Sequence, residues 1–149
     1  MARSSDHPVG RSFVDRPTGR APRVHLEGDL DIANVDMTDV ALRAVDPAGD
    51  VVVDLAAARF VDSVTLSRLL QAARRHDAEG GRLVLAGARG AVRRVLSVTQ
   101  IDRLLLYADS VDDAEGLLAE DARPLGLGAR DPDVATRAAG STDDDGGPP

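Results

Sequence analysis

Between residues 11 and 120 the spacing of apolar residues switches again and again from the short runs of a strand to the three-and-four spacing of a helix, and this alternation narrows the available folds more than any other feature. "SFVD" (12–15) and "RVHLEGDL" (23–30) read as strands, and the Pro and Gly of the intervening "RPTGRAP" suit a hairpin connection. "NVDMTDVALRAV" (34–45) has helical spacing, with Val35, Val40, Ala41 and Ala44 on one face and Asn34 as N-cap. "PAGD" breaks the pattern. "VVVDL" (51–55) is a continuous β-branched run, expected of a strand covered on both faces. Phe60 and Val61 are β-type residues placed directly before Asp62 and Ser63, where a helix begins at once. In that helix Leu66, Leu69, Leu70 and Ala73 fall at i, i+3, i+4 and i+7, opposite Arg68, Arg75 and Asp77, and Gly80 or Gly81 can supply a left-handed cap. "RLVLAG" (82–87) reads as a strand, and "AVRRVLSV" (91–98) as a helix with Val92, Val95 and Leu96 inward. "RLLLYA" (103–108) is a last strand and "SVDDAEGLLAE" (110–120) a closing helix, with Ser110 three residues before Asp113 in a carboxylate version of the capping box.

The resulting order, β-β-α-β-α-β-α-β-α, implies an α/β fold: a small, mostly parallel sheet with an opening β-hairpin, flanked by about four helices joined by right-handed crossovers. Residues 1–10 and 121–149 have Pro, Gly and acidic residues without periodicity and are expected to be disordered tails around a single domain at 11–120. Only 2% of the 149 residues are aromatic, so the core must be made of Val, Leu, Ile and Ala. There is no cysteine, which excludes disulfides, thiolate metal sites and cysteine nucleophiles. A net charge of −7 argues against a general nucleic-acid binder. All 18 basic residues are arginine, and pairs such as Arg74–Arg75 and Arg93–Arg94 are expected on solvated outer faces. No signal-like segment and no apolar run of membrane-spanning length is present, so a cytoplasmic protein without direct membrane insertion is expected.

Sites in parallel sheets form where strands end and helices begin, and Ser63 lies at such a junction, either as the N-cap itself or as the first helical residue after an Asp62 cap. A phosphate-binding loop would need Gly-Lys-Ser or Gly-Lys-Thr, and the chain has no lysine. "GARG" (87–90) is too short for a dinucleotide fingerprint, so Gly87 and Gly90 are read as turn residues. Val-Asp-Ser-Val-Thr lacks the glycines of a nucleophile elbow, and none of His7, His25 and His76 is placed by sequence as a partner for Ser63. Asp29 and Asp31 are read as a polar turn after a strand rather than as metal ligands. No enzyme activity and no cofactor are expected.

Four stretches in this order and spacing resemble the STAS domain of bacterial anti-sigma-factor antagonists: Gly-Asp-Leu-Asp at 28–31, Asp62-Ser63, "GGRLVL" at 80–85 and "VRRVLSVTQIDRLL" at 92–105. The resemblance covers roughly residues 11–119. It implies that Ser63 is phosphorylated by an anti-sigma factor that is also a serine kinase, that the unphosphorylated protein binds this partner and frees a sigma factor, and that a phosphatase resets the cycle. Asp31, Asp62, Ser63, Val64 and Thr65 would then form the partner-binding surface. The family usually has a small residue and then glycine after the serine, where this chain has Val64 and Thr65. That departure favours an alternative, a STAS interaction module that is not phosphorylated, such as the cytoplasmic subunit of a lipid-transport or signalling complex.

Overall fold

The computed structural model describes residues 9–121; the segments expected to be tails lie outside them apart from Val9, Gly10 and Asp121. In chain order the elements are β1 (Arg11–Asp15), β2 (Arg23–Leu30), a 3-10 turn (Ile32–Asn34), α1 (Val35–Arg43), β3 (Asp50–Asp54), β4 (Ala58–Val61), α2 (Ser63–Glu79), β5 (Arg82–Ala86), α3 (Gly90–Val98), α4 (Ile101–Leu104), β6 (Leu106–Ala108) and α5 (Val111–Ala119). The sheet runs β1-β2-β3-β5-β6, with the β1–β2 hairpin antiparallel and the other pairs parallel. This is the expected α/β architecture.

β4 is the main addition to the expected strand set. β3 pairs with Arg23, Val24 and His25 of β2, while β4 pairs in the same direction with Gly28, Asp29 and Leu30. Successive segments of the chain thus follow one strand, interrupted at residues 55–57, and the register slips between Gly28 and Asp29. Gly28 permits this: its φ is +80°, and a Cβ there would lie 2.6 Å from the Val9 carbonyl oxygen.

Val51, Val52 and Val53 are all fully buried, as a doubly covered strand requires. Val51 and Val53 join the larger core, with Leu69 of α2 and Leu96 of α3, while Val52 faces a smaller one with Val84, Leu106 and Ala114 of α5. In α2, Leu66, Leu69 and Ala73 face inward as expected, and Gly80 closes the helix at φ +94°.

Four local expectations are corrected. Val40 and Ala44 of α1 are exposed, and the buried face is Val35, Thr38, Ala41, Leu42 and Val45, because α1 is rotated to face both the sheet and α2. Asn34 makes no side-chain bond as the α1 cap; it serves the preceding 3-10 turn, whose cap is Asp31. Arg103 and Leu104 belong to α4 rather than to the last strand. One arginine of each expected surface pair is engaged: Arg75 donates to the Leu42 carbonyl, and Arg93 pairs with Asp102 at 2.8 Å and lies over the Tyr107 ring. Arg68 likewise pairs with Asp39 across the α1–α2 seam.

Candidate functional site

Asp62, at the end of β4, has an extended backbone and caps α2. Its Oδ1 accepts from the Thr65 N–H at 2.9 Å and its Oδ2 from the Ile32 N–H, also at 2.9 Å. One carboxylate therefore satisfies an orphan donor of α2 and holds the β2–α1 turn against it. The main chain adds a second link, from the Asp62 N–H to the Leu30 carbonyl at 3.1 Å.

Asp31 organises the other side of this junction. Its Oδ1 accepts from Ala33 N–H at 3.0 Å, while its own N–H donates to Asn34 Oδ1 at 3.0 Å, closing a capping box. Asn34 Nδ2 then donates to the Asp29 carbonyl at 2.8 Å. The Asp29–Asp31 segment is a hydrogen-bonded turn, and among the described residues no cluster of three or more metal-ligating side chains occurs.

Ser63 is the first residue of α2 rather than its cap, and it is exposed. Val64 is half-buried. Thr65 is the correction to the expected site: at 0% exposure its side chain belongs to the interior, and its Oγ1 has no hydrogen-bond partner among the described residues. It therefore leaves the candidate contact surface and offers no second accessible hydroxyl. Helical geometry explains the division, since the third residue of α2 turns toward the core with Leu66 and Leu69 while the first points out. The exposed apolar residue that sequence reasoning missed is Ile32, 68% exposed and tied to Asp62 through its N–H. Only the fold brings it to this junction.

His7 lies outside the described residues, and the other two histidines are elsewhere in role. His25 Nδ1 lies 3.1 Å from Asp54 Oδ2 and its ring stacks on Phe13. His76 is fully buried near the end of α2, with Nδ1 3.0 Å from the Gly49 carbonyl; burial holds its pKa below the ordinary value, with the nearby Arg75 charge acting the same way.

Among solved structures, an anti-sigma factor antagonist from Mycobacterium paratuberculosis is similar at 28% identity and TM-score 0.63, over 74% of this chain and 93% of that one. The antagonist SpoIIAA in its unphosphorylated form is similar at 20% identity and TM-score 0.57, over 73% and 96%. A sulfate transporter family protein from Wolinella succinogenes shares the fold at 18% identity and TM-score 0.57, over 71% and 92%. The family model described as "Mlab, STAS domain" matches residues 13–107, a span from β1 through β6 that contains the whole Asp31–Asp62–Ser63 junction. With the hairpin, the parallel strands and that junction in place, the chain belongs to this STAS domain family.

Proposed function

We propose that this protein is an anti-sigma-factor antagonist that binds an anti-sigma factor with serine kinase activity and is switched off by phosphorylation of Ser63, so regulating sigma-factor-dependent transcription. The observation that carries the reading is an exposed Ser63 at the first position of α2, immediately after the Asp62 cap. The similarity to the Mycobacterium paratuberculosis antagonist supports the same partner class.

A hydroxyl on the first turn can be reached by a kinase without unfolding, and a phosphate there is favoured by unpaired helix N–H groups. The modification adds a charge of about −1.5 to −2 at neutral pH. It arrives beside Asp62 and the Asp31 turn, so the modified face is strongly anionic and costly to desolvate against a partner. Ser63→Asp is expected to weaken binding to the cognate anti-sigma kinase about a hundredfold, roughly 3 kcal/mol, while Ser63→Ala retains it. Titration calorimetry with the kinase decides this, and equal affinities for the two variants would defeat the switch. Incubation with the kinase and ATP should add one phosphate to the intact mass, and none to Ser63→Ala.

A second reading, a STAS interaction module that is not phosphorylated, is favoured by Thr65, which fills the position where antagonists usually have glycine. It predicts no phosphate transfer from any kinase encoded with the protein. It also predicts co-purification with subunits of a transporter or scaffold.

A further inference from the structure

Among the described residues β1 is paired on one side only. It joins β2 in antiparallel register with Phe13 opposite His25, and among the described residues no main-chain hydrogen bond links residues 11–15 to any element other than β2. Such an edge turns alternate N–H and C=O groups outward, a template for another strand unless side chains prevent it. Charges of one sign on an edge repel a second copy. Here the charges are of opposite sign and symmetric about the centre: Arg11-Ser12-Phe13-Val14-Asp15. Laid antiparallel on itself about Phe13, the strand puts Arg11 opposite the second copy's Asp15, Asp15 opposite its Arg11, and Phe13 opposite Phe13.

The two faces of the strand fit the same arrangement. Ser12 and Val14 face the larger core, where Ser12 Oγ donates to the Met37 carbonyl of α1 and Val14 packs against buried residues. Arg11, Phe13 and Asp15 share the opposite face. There α5 covers strands β3, β5 and β6, and Phe13 is left 40% exposed in a chain with two phenylalanines. Its ring stacks on His25 with centroids 4.5 Å apart, and the Arg11 guanidinium lies 5.7 Å from the ring centre. Self-pairing would continue this stack from His25 through two Phe13 rings to the second His25, an arrangement that aromatic cross-strand pairs favour. A shift of the pairing by two residues sets both arginine and aspartate opposite the wrong partners.

We propose that two copies of this chain form a twofold dimer by antiparallel pairing of β1 with β1, centred on Phe13, which joins their sheets into one. The contact is isologous and independent of the phosphorylation reading. A five-residue edge buries far less than a standard interface, so association is expected in the micromolar range.

Sedimentation equilibrium of the full chain over about 5–500 µM should show a shift from monomer to dimer mass. Arg11→Asp places two carboxylates at each end of the pairing and Asp15→Arg two guanidiniums, so each variant alone should associate at least tenfold more weakly. An equimolar mixture of the two variants should regain the wild-type association, because unlike charges then face each other. Both side chains are exposed, at 70% and 51%, and circular dichroism will verify the fold of each variant. Because the chain has no cysteine, Phe13→Cys offers a second measurement: mild oxidation should link it to itself faster than Val98→Cys, an exposed site on α3. A wild-type chain that stays monomeric throughout, variants that associate like wild type, a mixture that associates no better than its components, or equal linking of the two cysteine variants would each overturn the dimer.

Discussion

Asp62 spends both carboxylate oxygens on main-chain donors of two different elements, so its loss acts in two places. Asp62→Ala is expected to lower stability by about 1–2 kcal/mol in urea denaturation and to speed hydrogen exchange at the Thr65 and Ile32 amides. Loss of protection at Thr65 alone would count against its second attachment. His76 makes a different prediction. Its pKa is lowered in the folded protein, chiefly by burial, with Arg75 adding to the effect and the Gly49 carbonyl, Asp50 and Asp46 opposing it. The unfolded chain therefore takes up the proton first on acidification, and stability is complete above the unfolded value of about 6.5 and falls as the pH drops below it. The slope contributed approaches about 1.4 kcal/mol per pH unit until the folded value is reached. Melting curves between pH 7.5 and 5.5 should show this loss, and His76→Gln should flatten it. At this scale the sequence left open whether Ser63 or Asp62 was the cap. The choice falls to Asp62 because only its Oδ1 reaches the Thr65 N–H, and the same turn of helix carries Thr65 inward.

At the scale of elements, the helices follow the apolar spacing, but their rotation answers to neighbours. α1 meets both the sheet and α2, so Leu42 and Val45 are buried and Val40 is not. Arg68 and Arg75, read from periodicity as outward, instead fasten α2 to α1 through Asp39 and the Leu42 carbonyl. α5 is fastened in a similar way. The Arg82 guanidinium of β5 donates to both oxygens of Asp50 at 3.1 and 3.0 Å and to the Leu118 carbonyl at 3.0 Å, so one side chain spans β3, β5 and the end of α5. Arg82→Ala is expected to destabilise the protein by about 1–3 kcal/mol, because partly buried acceptors lose a charged donor. Guanidinium denaturation checks the magnitude. A value near zero would mean that solvent replaces these bonds.

For the whole molecule, the sheet divides the interior unequally. α1, α2 and α3 share one extended core with β2, β3 and β5, whereas α5 has its own small core, to which it contributes Ala114 as a fully buried residue and Val111, Leu117 and Leu118 as partly buried ones. Little apolar burial holds α5, so native-state hydrogen exchange should release its amides before those of α2. Equal protection of the two helices would show that the layers open as one unit. The order of the strands and helices other than β4 and α4, the doubly buried "VVVDL" strand and the serine at a strand-to-helix junction were legible in the sequence, because periodicity and capping are local consequences of side-chain chemistry. The pairing of β4 with β2, the meeting of Ile32 with Asp62 and the burial of Thr65 were not. Each depends on contacts between residues distant in the chain or on the rotation of a packed helix, which only the assembled tertiary structure decides.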